Sequence, residues 1–274
     1  MLVVASETTD QQNQRRERSG QASHETLADT LRDIDPSLEL DHVNCVTDDW
    51  HGITAERLRA FSGLAYAGSP IQMHEDTEEA RSAAAFGRHV FDAGVPSLGS
   101  CAGLQIATVA AGGTTKSREE GTEVGFARSI VRTEAGRDHP LLAGRPIAWD
   151  ALAMHSSVVD RQPDGMTVLA RTVDTPVEVA EIRCGEGWHW GVQCHPEIDL
   201  SEIADAMRAS ADTMIKQGMA QSESDVDRYA AILDTLNRDP SRRDLAWQIG
   251  IDEEVTDSER RTVEMRNFLA HIAA

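Results

Sequence analysis

A cysteine between two glycines stands in the most informative stretch of the sequence. Gly99 and Gly103 flank Cys101 at two residues on either side. Apolar residues before the cysteine predict a short buried strand and those after it predict a helix, so Cys101 falls in the sharp turn between them. This is the thiol form of the Gly-x-Ser-x-Gly nucleophile elbow, where side chains at the glycine positions would collide with the strand or the helix. The turn places the sulfur at the positive end of the helix, which favours the nucleophilic thiolate.

A second stretch, residues 191–197, carries the side chains that could activate such a thiol. His195 and Glu197 are two residues apart, so in an extended segment both project to the same side. Pro196 holds His195 in an extended conformation. A carboxylate beside an imidazole fixes its tautomer, which leaves the other ring nitrogen to accept a thiol proton. Together with Cys101, the pair predicts the Cys–His–carboxylate relay of covalent acyl transfer.

Each of these residues also has a plain structural interpretation. Cys101 alone is compatible with a small inert core residue, His195 with a hydrogen-bonded structural histidine, and Glu197 with a solvated surface charge. Zinc is a further alternative, because four potential ligands lie close in sequence: Cys184, His189, Cys194 and His195. No spacing among them matches a known ligand pair, so we expect no metal and no cofactor.

The elements that must position these residues alternate between strands and helices through the first 120 positions. Apolar patterning predicts strands at 2–5, 38–46, 64–67 and immediately before Cys101, with helices at 23–33, 54–61 and 75–93 between them. Such alternation predicts a mainly parallel α/β sheet, in which functional sites lie at the carboxyl ends of the strands. Gly68 and Cys101 both follow such an end. Residues 6–20 are predicted to form a polar, mobile loop.

The rest of the sequence has a different pattern. Short apolar runs predict strands at 124–131, 147–149, 167–170, 177–182 and 188–194, which indicates an antiparallel extension of the sheet. From residue 201 onwards the pattern is helical, and residues 256–259 are predicted to form a capping box that opens the last helix. We therefore predict a domain over residues 1–200 and a helical C-terminal extension over residues 201–274.

Composition excludes several classes of partner. The 274 residues carry 46 acidic and 26 basic side chains, a formal net charge of −20. A field of that sign repels nucleic-acid backbones and anionic membrane surfaces, so we expect neither as a partner. Four cysteines are too sparse for a disulfide scaffold. The sequence shows no signal peptide and no apolar run of the ~20 residues that a membrane span needs, so we predict a cytoplasmic protein.

The two chemical stretches resemble the class I, or triad, glutamine amidotransferases, most closely the stand-alone relatives of the GMP synthetase amidotransferase domain. The resemblance covers roughly residues 60–200, and its motifs occur in the family's order at 66–70, 99–105, 121–125, 139–141, 154–159, 163–165 and 192–197. It implies a three-layer, flavodoxin-like fold with an open, mainly parallel sheet. Residues 6–20 and 201–274 lie outside the resemblance.

Carried over by position, the resemblance also implies a role for each site residue. Cys101 attacks the side-chain amide of glutamine, His195 takes the thiol proton and passes it to the leaving ammonia, and Glu197 orients His195. The other implied residues are the backbone N–H groups of an oxyanion hole and the groups that hold glutamine: Gly68, Ser69 and Ala102 for the first, Gln105, Ser156 and Ser157 for the second. Water then cleaves a γ-glutamyl thioester.

The implied function is a glutaminase subunit that delivers ammonia to a synthase partner, because the chain shows no second catalytic domain. A stand-alone hydrolase of a γ-glutamyl amide and a catalytically inactive scaffold are the alternatives. Three positions depart from the family's usual pattern: Ser69, Cys194 and the Ser156–Ser157 pair. The last two are expected near the substrate and indicate an altered γ-glutamyl substrate. The C-terminal helices are expected to dock a partner, cover the sheet or mediate homo-oligomer contacts.

Overall fold

In a computed structural model, the chain folds around a nine-stranded mixed sheet with a separate two-stranded sheet beside it. The structure describes the backbone of residues 1–274 and every side chain except that of Asp48. The strands are β1 (Leu2–Ala5), β2 (Asp41–Asn44), β3 (Leu64–Tyr66), β4 (Ser97–Ser100), β5 (Thr114–Ser117), β6 (Glu123–Arg132), β7 (Ala148–His155), β8 (Ser157–Arg161), β9 (Met166–Arg171), β10 (Val179–Cys184) and β11 (Gly187–Val192). The helices are α1 (Thr9–Ser19), α2 (Ser23–Ile34), α3 (Ala55–Arg59), α4 (Glu78–Ala93), α5 (Ala102–Ala110), α6 (Leu200–Ala209), α7 (Ala211–Lys216), α8 (Glu223–Arg238), α9 (Arg243–Ile249), α10 (Glu253–Thr256), α11 (Ser258–Arg261) and α12 (Val263–Ile272).

The order of strands in the main sheet brings the segments that carry Gly68, Cys101 and His195 to the carboxyl ends of neighbouring strands. The order is β2-β1-β3-β4-β11-β10-β9-β6-β7, parallel from β2 to β11 and antiparallel from there to β7. The predicted parallel sheet with an antiparallel extension is therefore confirmed. Because β3, β4 and β11 are neighbours, Gly68, Cys101 and His195 follow three adjacent carboxyl ends.

Alternating residues of the parallel strands build two cores, one on each face of the sheet. On β1, Val3 packs with the face covered by α2 and α12, while Val4 packs with the face covered by α4 and α5. Burying successive side chains on opposite faces requires apolar residues at every position, as β1 shows. The predicted three-layer arrangement is thereby confirmed.

The C-terminal helices pack onto the same sheet. Residues of α6 and α8 share a core with Val124 and Leu152 of the antiparallel strands, and Phe268 of α12 packs on Trp190 of β11. The division at residue 200 stays a prediction. The predicted capping box at 256–259 is wrong, because Asp257 caps the short α11 and a separate helix begins at Val263.

The predicted loop over residues 6–20 is wrong, because most of it is helix α1. The Thr8 hydroxyl accepts from the Gln11 N–H, and the Gln11 side chain accepts from the Thr8 N–H in return. Gly20, with φ +82°, ends the helix in the left-handed conformation that glycine tolerates. None of the residues of α1 is buried, so the apolar periodicity that reveals a helix was missing.

The short strands β5 and β8 were also not predicted from the sequence patterns. Residues 154–159, expected as a loop on the substrate side, run from the end of β7 into β8, which pairs antiparallel with β5. The turn between the two strands consists of Ser156 alone. Among the described residues, none of the helices has the length and apolar character needed to cross a membrane.

Candidate active site

The turn at Cys101 has the strained geometry of a nucleophile elbow. Cys101 has φ 47° and ψ −99°, an uncommon conformation for a residue with a side chain, and its N–H donates to the Val192 carbonyl at 2.7 Å. A Cβ at Gly99 would lie 2.7 Å from the Gly103 Cα, and one at Gly103 would lie 2.7 Å from the Tyr66 Cβ. Both glycines are therefore required by close packing. The sulfur lies beside the first turn of α5, where the backbone N–H groups carry partial positive charge.

The three residues of the predicted relay lie together and are almost fully buried. His195 Nδ1 is 2.9 Å from Glu197 Oε1, so the carboxylate fixes the orientation of the ring. His195 Nε2 lies 3.3 Å from the Met154 carbonyl oxygen, and Cys101 Sγ lies 3.7 Å from the same oxygen. The thiol and the outer nitrogen of the imidazole therefore lie against the same carbonyl oxygen, which brings them near each other for proton transfer.

The electrostatics of the pair favour a charged imidazole. Burial opposes the imidazolium, but the charges of Glu197 and Cys101 raise the pKa of His195 well above its usual value. Burial likewise opposes the Glu197 carboxylate, but His195 and the Ser100 hydroxyl hold the pKa of Glu197 below its usual value. A cationic His195 next to the sulfur stabilises a thiolate.

Two residues that sequence reasoning did not single out complete this arrangement. The Ser100 hydroxyl donates to Glu197 Oε1 at 2.8 Å, and the Gln193 amide approaches Cys101 Sγ at 3.5 Å. The signal for Gln193 was available, because it lies two residues before His195 in an extended segment and so faces the same side. Cys194, between them, faces the opposite side and belongs to the hydrophobic core. The expectation that Cys194 lies near the substrate is wrong.

The expected oxyanion hole lies against the histidine. The backbone N–H groups of Gly68, Ser69 and Ala102 have no hydrogen-bond partner within the described chain, and all three residues line the same cavity as Cys101. A Cβ at Gly68 would lie 2.5 Å from His195 Cε1, so only glycine lets the turn after β3 approach the ring this closely. The arrangement leaves these donors available for an oxyanion.

The residues expected to hold glutamine form the opposite wall. Gln105 is buried, and its amide donates to the Ser157 carbonyl at 3.0 Å and to Gln193 Oε1 at 3.2 Å. Its amide N–H groups are thus engaged within the protein, where they fix the turn between β7 and β8. The hydroxyl groups of Ser156 and Ser157 both donate to the Gln72 side-chain oxygen. These residues line the cavity, and their substrate-binding role stays a prediction.

The elements enclose a cavity of about 340 Å³ at this edge of the sheet. Cys101 and His195 lie in its wall together with the turn after β3, the turn between β7 and β8, and one side of α1. The side of α1 was not expected here, because the resemblance left residues 6–20 out. A cavity of this size with a few convergent polar groups is typical of small-molecule sites.

A cluster of charged residues includes His155, which directly precedes the turn between β7 and β8. Within the described chain, Glu123, His155 and Glu178 form the one group of potential metal ligands whose atoms lie within 4.8 Å of one another. The His155 ring bonds Glu123 at 2.8 Å, and Arg118 lies 3.9 Å from the same carboxylate, so a cation is already built into this group. The zinc alternative fails on geometry, because its four residues do not come together.

Glu178 gives the protein a pH-dependent stability. It is fully buried with both carboxyl oxygens unpartnered, and burial followed by the charge of Glu123 raises its pKa to about 8. The folded state therefore holds a proton that the unfolded state releases near pH 4.5, and stability falls as pH rises through this range. We expect Glu178→Gln to remove about 4 kcal/mol of this fall between pH 5 and 9, measured by urea unfolding. The exposed Glu186→Gln is the control, and equal slopes in all three proteins would contradict the prediction.

Comparison with known proteins supports one family. A family model described as glutamine amidotransferase class-I matches residues 20–211. A γ-glutamyl-L-1-hydroxyisopropylamide hydrolase from a Pseudomonas species is 30% identical over 220 residues, which span 78% of this chain and 74% of that protein. A glutamine-hydrolysing GMP synthase from Leifsonia xyli is 34% identical over 162 residues, which span 57% of this chain but 30% of the synthase.

Solved structures agree on the fold. A glutamine amidotransferase from Thermotoga maritima superposes with a TM-score of 0.65 at 14% identity, covering 99% of this chain and 97% of that one. A glutamine amidotransferase from Methylobacillus flagellatus gives a TM-score of 0.63 at 16% identity, covering 99% and 94%. Both matches extend over the C-terminal helices and α1, so these elements also belong to the shared architecture.

Proposed function

Because the chain belongs to the class I glutamine amidotransferase family, we propose that it hydrolyses the side-chain amide of glutamine or another γ-glutamyl amide with Cys101 as nucleophile. The observation that carries this proposal is that the Cys101 sulfur and the His195 ring both lie against the Met154 carbonyl oxygen, with Glu197 bound to the other side of the ring. This arrangement provides a nucleophile, a proton carrier and an orienting carboxylate in one cavity.

The proposed reaction proceeds in two halves. The Cys101 sulfur attacks the amide carbon, and the negative charge on the carbonyl oxygen is stabilised by the free N–H groups of Gly68, Ser69 and Ala102. His195 passes its proton to the amide nitrogen as the C–N bond breaks, which leaves a γ-glutamyl thioester and a free amine. Water then gives a proton to His195 and attacks the thioester, and the C–S bond breaks to release glutamate.

The fate of the amine distinguishes two candidate functions. The likeness to GMP synthases supports a glutaminase subunit that hands ammonia to a synthase partner, and the chain covers under a third of those synthases. The likeness to a γ-glutamyl amide hydrolase supports hydrolysis without a partner, and it extends over most of both chains. The second candidate deserves equal weight because that match includes sequence beyond the amidotransferase segment shared with the synthases.

Release of glutamate and ammonia from glutamine by the purified chain is the direct test, with Cys101→Ala as its control. We expect Cys101→Ala to reduce turnover to background, since the thioester cannot form. Turnover of γ-glutamyl-isopropylamide in preference to glutamine would favour the hydrolase. Glutamine turnover that rises on addition of a synthase subunit would favour the amidotransferase. An inert Cys101 and no turnover of either amide would support the inactive scaffold.

A further inference from the structure

One side of α1 forms a polar wall of the catalytic cavity. Gln11, Gln14, Arg15 and Arg18 all line the cavity, and their spacing places them along one face of the helix. The acidic residues Asp10 and Glu17 lie outside this face and are exposed to solvent, as are Gln14 and Arg18 within it. Two of the three arginines of α1, Arg15 and Arg18, therefore line the cavity, and Arg16 does not.

The three arginines of α1 differ in what they contact. Arg15 forms an ion pair with Glu202 of α6, and Arg16 forms one with Glu25 of α2 at 2.7 Å. These two pairs fasten the helix at the cavity. Among the described residues, Arg18 has no carboxylate partner, and the one hydrogen bond of its side chain goes to the Ser19 hydroxyl at 3.5 Å. Its guanidinium is therefore available to a ligand.

Other charged groups in the cavity wall already have partners. The Glu7 carboxylate accepts from the N–H and the hydroxyl of Ser23, at 3.1 and 2.9 Å. Glu197 is bound by His195, and Arg15 by Glu202. Glu7 is held by neutral donors and so keeps a buried negative charge, whereas Arg18 carries the one positive charge of the wall that lacks a carboxylate partner among the described residues. An anion that enters the cavity meets a planar donor suited to carboxylate.

We propose that Arg18 binds a carboxylate of the substrate, so that the inner face of α1 selects which γ-glutamyl amide is hydrolysed. This inference rests on the proposed function of the same cavity. The carboxylate has two sources, the α-carboxylate present in every γ-glutamyl compound and a carboxylate on the amine that leaves. The position of α1 at the cavity and the free guanidinium of Arg18 are the observations that support either source.

Alkylation of Cys101 tests the anion site without requiring turnover. Iodoacetate carries a carboxylate and iodoacetamide does not, and modification at Cys101 can be followed by mass spectrometry of its peptide. We expect Arg18→Gln to slow modification by iodoacetate about three- to tenfold, an effect reduced by salt, and to leave iodoacetamide unchanged. Arg16→Gln is the matched control, because Arg16 lies on the same helix but is paired away from the cavity. An unchanged ratio of the two rates in Arg18→Gln would overturn the proposal.

Turnover then identifies the source of the carboxylate. Glutamine, γ-glutamyl-isopropylamide and γ-glutamylglycine share the α-carboxylate, but only the last has one on the leaving amine. A similar fall in kcat/KM for all three in Arg18→Gln assigns the α-carboxylate, and a fall confined to γ-glutamylglycine assigns the amine side. Equal kcat/KM for wild type and Arg18→Gln on every hydrolysed amide overturns the proposal. Failure of all three amides contradicts the proposed function instead, and the alkylation ratio then decides on Arg18 alone.

Discussion

Replacing Glu197 by glutamine should lower kcat for γ-glutamyl amide hydrolysis by about 10²- to 10⁴-fold while the protein stays folded. The Glu197 carboxylate accepts from His195 Nδ1 at 2.9 Å and from the Ser100 hydroxyl at 2.8 Å, and Glu197 is 6% exposed in the cavity wall. Among the interactions that raise the pKa of His195, the charge of Glu197 is the largest. A neutral amide of the same shape keeps the packing and removes this charge, so the imidazolium is no longer stabilised.

The pH profile separates this effect from a packing defect. Since the carboxylate raises the pKa of His195, its removal should shift the alkaline limb of kcat/KM to lower pH. Ser100→Ala is the matched control, because it removes one hydrogen bond to the same oxygen and keeps the charge; we expect a loss of no more than about tenfold. A Glu197→Gln protein that retains a tenth of wild-type kcat with an unshifted profile would show that Glu197 does not orient the base.

The parallel half of the fold could be predicted because its signals are local. Strands such as β1 are buried on both faces, so they appear as continuous apolar runs, and the intervening helices carry a clear inner face. The approach of the two chemical stretches could also be predicted, since each follows a strand of the parallel sheet and sites lie at carboxyl ends. The proximity of Cys101, His195 and Glu197 could therefore be predicted from the motifs and the sheet type, whereas their catalytic roles stay predictions.

What the sequence did not reveal depends on contacts between distant segments. Helix α1 has no buried residue, and it is held by ion pairs to Glu25 and Glu202. Such ion pairs leave no apolar periodicity in the sequence from which the helix could be predicted. The capping residues Thr8 and Gln11 were the local signal that was overlooked. Likewise, the Ser157 hydroxyl donates to the Gln72 side chain 85 residues away, and a single sequence does not reveal such a pairing.

A buried ion cluster ties the C-terminal helices to the main sheet. Arg145, after the 3-10 turn at Pro140–Leu142, donates to both oxygens of Glu264 at 2.8 and 2.7 Å and to Glu254 at 2.8 Å. It also donates to the Arg261 carbonyl at 3.0 Å. The two carboxylate side chains are 4% and 0% exposed; Glu264 pairs with Arg145, while Glu254 also pairs with Arg260 at 2.6 Å.

We expect Arg145→Ala to lower the free energy of unfolding by about 3–5 kcal/mol, measured by urea denaturation at neutral pH. The loss arises mainly because the fully buried Glu264 carboxylate is left without a cation, while Glu254 keeps only the partly exposed Arg260. Arg145→Lys should recover little, since an ammonium cannot bond both carboxylates in the fork geometry of Arg145. Arg137→Ala is the control: Arg137 pairs with Glu134 on the exposed surface, and its loss should change stability by less than about 1 kcal/mol.

A double variant distinguishes uncompensated charge from lost packing. Glu264→Gln in the Arg145→Ala background removes the carboxylate that is left without a cation, without restoring any contact of the arginine. If buried charge dominates, the double variant should be more stable than Arg145→Ala alone, although it lacks more of the native hydrogen bonds. A double variant no more stable than the single one would assign the loss to packing of the Arg145 side chain over the Trp149 ring. We expect the double variant to be the more stable one, because the solvation free energy that a buried, unpaired carboxylate loses is far larger than the contribution of one missing hydrogen bond.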